Sequence, residues 1–167
     1  ENHTEALSHL GFCRLQGVGG VMDVGEAAKL FRRAAEQGHA QASYWLGMCL
    51  LEGSGCEKKP EEAVQHLLRA ADGLCDAAHL PLSRCYEKGI GIDADAAQAF
   101  DWCWRAAETG NAEAQYRLGR YLEEGKGCRQ NAEKALKWYK KAADAGHREA
   151  QNRLNILNEK KPAKAEE

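Results

Sequence analysis

The chain has 167 residues, 44% of them hydrophobic, and a mean hydropathy of −0.62. That is enough for one globular or repeat domain, and no apolar run approaches the ~20 residues a bilayer-spanning helix needs, so membrane insertion is not expected. Lys and Arg number 23 against 25 Asp and Glu, so the basic excess that binds phosphate backbones is missing and nucleic acid is not an expected partner. With 17 Gly, 3 Pro and abundant Ala and Leu, the composition points away from disorder and from an all-β domain, toward helix.

From the N-terminus, a first helix is predicted over 4–16, where Ala6, Leu10 and Cys13 recur at helical spacing on one side. Gly17-Val-Gly19 breaks it. Asp23, with Glu26 three residues on, reads as the cap of a second helix over 24–37, closed by Gly38. The order then returns 36 residues later: a helix over 40–52 carrying Ala42, Leu46, Cys49 and Leu50, the loop Gly53-Ser-Gly55, and a helix over 60–73 opened by Pro60 behind Lys59. Its end is irregular, because Gly73 comes one place early and Leu74 stands where a terminal glycine belongs. The third unit predicts helices over 76–88 and 96–109 around Gly89-Ile-Gly91, with Asp95 and Gln98 as cap pair. Pro81 should remove a hydrogen bond from the first of these and kink it. The fourth unit predicts helices over 112–124 and 132–145 around Gly125-Lys-Gly127 and the cap Asn131. A last helix follows over 148–158, where Asn155 replaces the small residue found at Gly11, Gly47, Ser83 and Gly119 and marks a polar cap.

Two short helices per unit bury little alone, so the units must stack. The expected fold is all-α, an α-solenoid of about four 36-residue helix-turn-helix repeats, over 4–39, 40–75, 76–111 and 112–147, plus a C-terminal capping helix at 148–158. One domain over 1–158 is expected, with a charged tail at 159–167.

The residues Ala114, Leu118, Gly119, Gly125, Gly127, Ala135, Trp138, Tyr139, Ala142, Ala143 and Gly146 form a pattern that resembles the Sel-one-like repeat family, a relative of tetratricopeptide repeats. The likeness extends over about residues 5–158. The family tyrosine is kept at Tyr86 and replaced by Arg14, Leu50 and Leu122. The resemblance implies a right-handed tetratricopeptide-like superhelix and a non-catalytic scaffold that binds proteins or peptides. In such a superhelix the first helices line the concave side. The groove candidates are then Ser8, Phe12 and Leu15; Tyr44, Met48 and Leu51; Leu80, Arg84 and Glu87; and Tyr116, Arg120 and Glu123.

Along this series an apolar half, with Phe12, Met48 and Leu51, gives way to Arg84 and Arg120 beside Tyr116, a set suited to a carboxylate. The expected ligand is one protein or peptide segment, held by an apolar anchor and oriented by an acidic group, on a monomeric protein-protein interaction scaffold. The alternatives are a hydrolase or small-ligand-binding member of the family, or a purely structural segment of a larger protein.

The seven cysteines are odd in number and contain no CxxC pair. Cys13, Cys49 and Cys85 are repeat equivalents among core positions and read as free thiols, with Cys85 and Cys103 the one bridge entertained. The cysteine-rich secreted members of the family would need cysteines where this chain has Ala35 and Ser43, and Ala71 and His79. A reducing cytoplasm is therefore favoured, with a secreted or periplasmic location left open because the chain opens at Glu1. His39, Cys75, Asn111 and His147 are also equivalents and read as helix caps rather than ligands, so no metal site, cofactor or catalytic residue is expected.

Overall fold

A computed structural model of the chain describes residues 2–159; the predicted tail beyond Glu159 lies outside the described residues. The described residues form nine α-helices and no strand: α1 (Asn2–Gln16), α2 (Val24–Glu36), α3 (Ala40–Glu52), α4 (Pro60–Asp72), α5 (His79–Lys88), α6 (Ala96–Glu108), α7 (Ala112–Glu124), α8 (Ala132–Asp144) and α9 (Arg148–Glu159). A 3₁₀ turn, Asp76–Ala78, leads into α5. The fold is the all-helical repeat architecture that the periodicity predicts, and α3 and α7 begin and end at the expected residues.

Backbone proximity separates two compact units, Glu1–Asp95 with α1 to α5 and Ala96–Glu167 with α6 to α9. Within each unit, consecutive helices pack on one another. The first unit is built on buried Phe31, Leu46, Leu50, Val64, Leu67 and Leu82, the second on Cys103, Leu118, Leu122, Tyr139 and the alanines between them.

Local chemistry accounts for the helix ends. The Asp23 and Asn131 side chains accept from the Glu26 and Lys134 N–H groups at 2.9 Å, satisfying donors that a helix start leaves open. Gly53 closes α3 in the left-handed region at φ +78°, and the next residue, Ser54, donates to the Cys49 carbonyl at 3.0 Å. Val18, Ile90 and Lys126 repeat that bond to Cys13, Cys85 and Tyr121, a Schellman closure at each reversal.

Two close approaches set the packing. Within a repeat, the first-helix glycine lies under a large side chain of the second helix, and a Cβ at Gly47 would come 2.9 Å from Leu67 Cγ. At Gly119 the same atom would come 2.6 Å from Tyr139 Cε1. Between repeats, the second loop glycine lies on the first turn of the preceding second helix. A Cβ at Gly55 would sit 2.1 Å from the Val24 carbonyl oxygen, one at Gly91 2.2 Å from that of Pro60, and one at Gly127 1.9 Å from that of Ala96.

Two local expectations are corrected, and one irregularity finds its cause. Ala6 and Leu10 do not lie in the core: Ala6 is exposed and Leu10 is 46% exposed, whereas their equivalents Ala42 and Leu46 are fully buried. That side of α1 meets no preceding second helix among the described residues, and nothing lies within 4 Å of a Cβ placed on Gly19. Pro81 falls in the first turn of α5, because the 3₁₀ turn delays the helix start to His79. A first-turn N–H has no partner within its own helix, so this proline interrupts no ladder. The early Gly73 has a packing cause, since its Cβ would lie 2.5 Å from that of Ala40. Leu74 is left to adopt φ +62° while 88% exposed.

Leu74→Gly is expected to stabilise the chain by about 0.5–1 kcal/mol, the left-handed strain of a branched side chain outweighing glycine's added unfolded-state entropy; a denaturant midpoint moving down would contradict this. Gly119→Ala should cost about 1–3 kcal/mol through overpacking against the buried Tyr139 ring, read in the same titration.

Candidate functional site

Each groove candidate lies on a first helix, but the two units present different chemistry. In Glu1–Asp95, Phe12 and Trp45 stand 5.5 Å apart between ring centroids, Trp45 stacks on buried Phe31 at 6.2 Å, and Tyr44 meets Trp45 edge-on at 4.9 Å. Phe12, Leu15, Trp45 and Leu51 are half-buried against the core, and Met48 is likewise half-exposed. Ser8 is buried at the floor of a cleft of about 500 Å³ that Glu5, His9, Phe12, His39, Gln41 and Trp45 complete. Farther along the same unit, Arg84 is exposed, and Leu80 and Glu87 are half-buried.

In Ala96–Glu167, Tyr116, Arg120 and Glu123 gather around Tyr139, largely satisfied by their own neighbours. Glu123 accepts from the Tyr139 hydroxyl at 2.6 Å and from Arg153 Nε at 3.0 Å, with Arg153 Nη2 on its other oxygen. Burial works against ionising Glu123, yet the Arg153 and Tyr139 hydrogen bonds outweigh it and hold the carboxyl below its ordinary range. Burial, and then the bond to Glu123, push the Tyr139 phenol up. Arg120 is the exposed member, forked onto Glu124 at 2.9 and 3.2 Å. Tyr116 stacks on His147 at 4.7 Å. Glu123, a groove candidate, is thus a structural clamp between α7, α8 and α9.

The cap positions carry their own chemistry. His39 Nδ1 accepts from the Ala42 N–H at 3.1 Å, Asn111 Oδ1 from Ala114 at 2.9 Å, and His147 Nδ1 from Ala150 at 3.3 Å. The seven cysteines are free thiols. Burial pushes Cys49 and Cys85 up to about 11, the opposite of what activates a nucleophile. Among the described residues no His, Cys, Asp and Glu group could hold a metal ion, and no helix is long and apolar enough to cross a membrane. Two further clefts, of about 390 and 320 Å³, run beside α8 and α9, and of the groove candidates they include Glu123 alone.

Of the residues lining the cleft at Ser8, Glu5, His9, His39, Gln41 and Trp45 are not among the groove candidates read from the sequence. Trp45 follows Tyr44 directly, and helical spacing assigned the groove to positions 8, 12 and 15 and their equivalents, leaving it on the flank. The signal available was its register, since the equivalent residues are His9, Pro81, Arg117 and Arg153, none of them Trp, Tyr or Phe.

Comparison with known families matches the Sel1 repeat at residues 4–39, 40–73, 77–111 and 112–147. Proteins built of this repeat are generally protein-interaction scaffolds, and the fold is typically non-enzymatic. Among solved structures, a Sel1 repeat protein from Oxalobacter formigenes is 34% identical, with a TM-score of 0.81 over 90% of this chain and 60% of that one. The protective antigen c5321 of uropathogenic Escherichia coli, which displays the same repeat fold, is 31% identical with a TM-score of 0.86, over 95% of this chain and 34% of that one. The chain therefore spans 60% and 34% of the length of these two relatives. Helicobacter pylori cysteine rich protein B, 24% identical with a TM-score of 0.62 over 83% of this chain and all of that one, shares the fold. Among curated proteins, none matches the chain.

Glu123→Ala removes the acceptor of a buried phenol and the partner of Arg153, and is expected to cost about 1–3 kcal/mol. Arg120→Ala, which breaks an exposed pair, should stay within about 0.5 kcal/mol; equal losses in chemical denaturation would contradict this division of roles.

Proposed function

We propose, from the premise that the chain belongs to the Sel1 repeat family, that it is a monomeric, non-catalytic scaffold whose first helices bind a peptide or extended segment of another protein. The observation that carries this reading is the half-exposed aromatic face of Phe12, Tyr44 and Trp45 on α1 and α3. Rings fixed against a core offer large contact area with little conformational entropy left to lose, the character of residues that dominate binding energy. Met48 and Leu51 extend that face with adaptable apolar surface. In the unit Ala96–Glu167, Arg120 supplies the polar part of the reading. Its pair with Glu124 is exposed and worth about 0.2–1 kcal/mol, so a partner carboxylate can replace Glu124 on the guanidinium fork.

A display screen of random peptides against the chain tests this. Enriched peptides should share an apolar or aromatic anchor. Phe12→Ser and Met48→Ser should each weaken them by roughly tenfold, the scale of losing one anchor contact. Arg120→Glu should remove any preference for an acidic residue. A screen that enriches nothing overturns the reading.

A further inference from the structure

The repeat register permits a comparison of equivalent places inside the molecule. One first-helix position holds Ser8, Tyr44, Leu80 and Tyr116, and the cap residue that follows a repeat later is His39, Cys75, Asn111 or His147. In the unit Ala96–Glu167 the place is filled. The Tyr116 ring lies on the His147 ring, 4.7 Å between centroids and 22° from parallel. His147 uses Nδ1 to cap α9, and its Nε2 stands 3.0 Å from Glu113 Oε2.

The unit Glu1–Asp95 repeats these parts without the ring. His39 caps α3 through Nδ1, so its neutral imidazole carries the proton on Nε2. Glu5 occupies the register of Glu113, but Ser8 occupies that of Tyr116. Where a tyrosine would lie there is the cleft of about 500 Å³, bounded by Glu5, Ser8, His39, Phe12 and Trp45. That volume falls within the span of small-ligand clefts, about 300–1,000 Å³. At the intervening position Tyr44, burial first and then nearby Cys75 push the phenol up, in keeping with a ring at this register reaching the next cap.

The other walls differ as well. Arg120 and Arg153, which pair with Glu124 and Glu123, are replaced at their equivalents by Phe12 and Trp45. Glu113 also binds Arg117 Nε at 2.6 Å, but His9 stands in the register of Arg117. Glu5 consequently pairs with no basic side chain among the described residues. The cleft combines aromatic walls, the imidazoles of His9 and His39, and a carboxylate with no ion-pair partner among the described residues.

We propose that this cleft binds an aromatic side chain, tyrosine foremost, of a protein ligand in which a basic residue follows the ring. The ring lies on His39 as Tyr116 lies on His147, with Phe12 and Trp45 beside it, and Glu5 takes the basic group. This rests on the peptide-binding reading above and names its anchor.

The substitution that tests it is Ser8→Tyr, which supplies the ring from within at a position where Tyr44 and Tyr116 show that the repeat accepts one. The probes are two capped hexapeptides, Gly-Gly-Tyr-Lys-Gly-Gly and the same peptide with Ala in place of Tyr, titrated while the nitrogen-labelled Trp45 indole is followed by magnetic resonance. The tyrosine peptide should shift the Trp45 signal saturably, and the alanine peptide should bind roughly tenfold more weakly or worse. Ser8→Tyr should abolish the response, and Glu5→Gln should erase the preference over a third peptide with Glu in place of Lys. Equal binding of the alanine peptide, or undiminished binding by a folded Ser8→Tyr protein, overturns the proposal. Display-selected peptides that bind Ser8→Tyr unchanged remove this anchor and leave the peptide-binding reading standing, whereas a screen that enriches nothing removes both.

Discussion

The backbone-to-backbone approach of the second loop glycine to the helix start before it governs the spacing of the repeats. No side chain fits between Gly55 and the Val24 carbonyl, between Gly91 and Pro60, or between Gly127 and Ala96. A contact with no rotamers to adjust leaves little freedom in separation, and the same one recurs at Gly55 and Gly91 in the first unit and at Gly127 in the second. The first-helix glycines do the corresponding work within a repeat, bringing α1 against Phe31, α3 against Leu67 and α7 against Tyr139. Close packing of this kind tolerates little change in volume. In repeat three the register puts Ser83 at the glycine place and Cys103 at the place of Phe31, Leu67 and Tyr139.

Once spacing is set, the positions that do not maintain it are free to vary, and those are the ones a ligand can meet. The caps illustrate this separation. The helix start needs an acceptor for one N–H group, and His39, Asn111 and His147 supply it equally well. The rest of each side chain then carries other chemistry: an imidazole under a tyrosine in one place, and an imidazole at the side of an open cleft in another. The same holds for the first-helix faces, aromatic on α1 and α3 and charged on α7, although the helices beneath them are built alike. In repeat proteins binding character is distributed along the array by such substitutions rather than by a change of fold.

The polar cluster around Tyr139 shows how groove candidates and framework residues overlap. Glu123 faces the side where a ligand is expected, yet it joins three helices through Tyr139 and Arg153. A carboxylate committed to a bidentate arginine and a buried phenol is poorly available to a partner, because releasing it strands both groups. Arg120, one turn earlier and exposed, carries no such obligation, since its pair with Glu124 lies at the surface.

Periodicity of 36 residues, caps at Asp23 and Asn131, glycine reversals and the Ala and Leu positions were enough to place every helix of this all-α repeat fold, because each rests on interactions within about ten residues of sequence. Helical spacing also put Phe12 and Tyr44 on the half-buried side of their helices, where both stand beside Trp45. Contacts between residues some thirty positions apart were not, since periodicity assigns the same face to Leu10 and Leu46 without saying which meets a neighbour. Only the tertiary structure decided that Leu10 meets no preceding second helix among the described residues, that Pro81 falls harmlessly in a first turn, and that Glu123 is claimed by Arg153. It also decided that Trp45 joins Phe12 above a cavity that Ser8 leaves unfilled. Local chemistry determines where helices begin and end, whereas what lies beside a given side chain depends on the packing of elements remote in the chain.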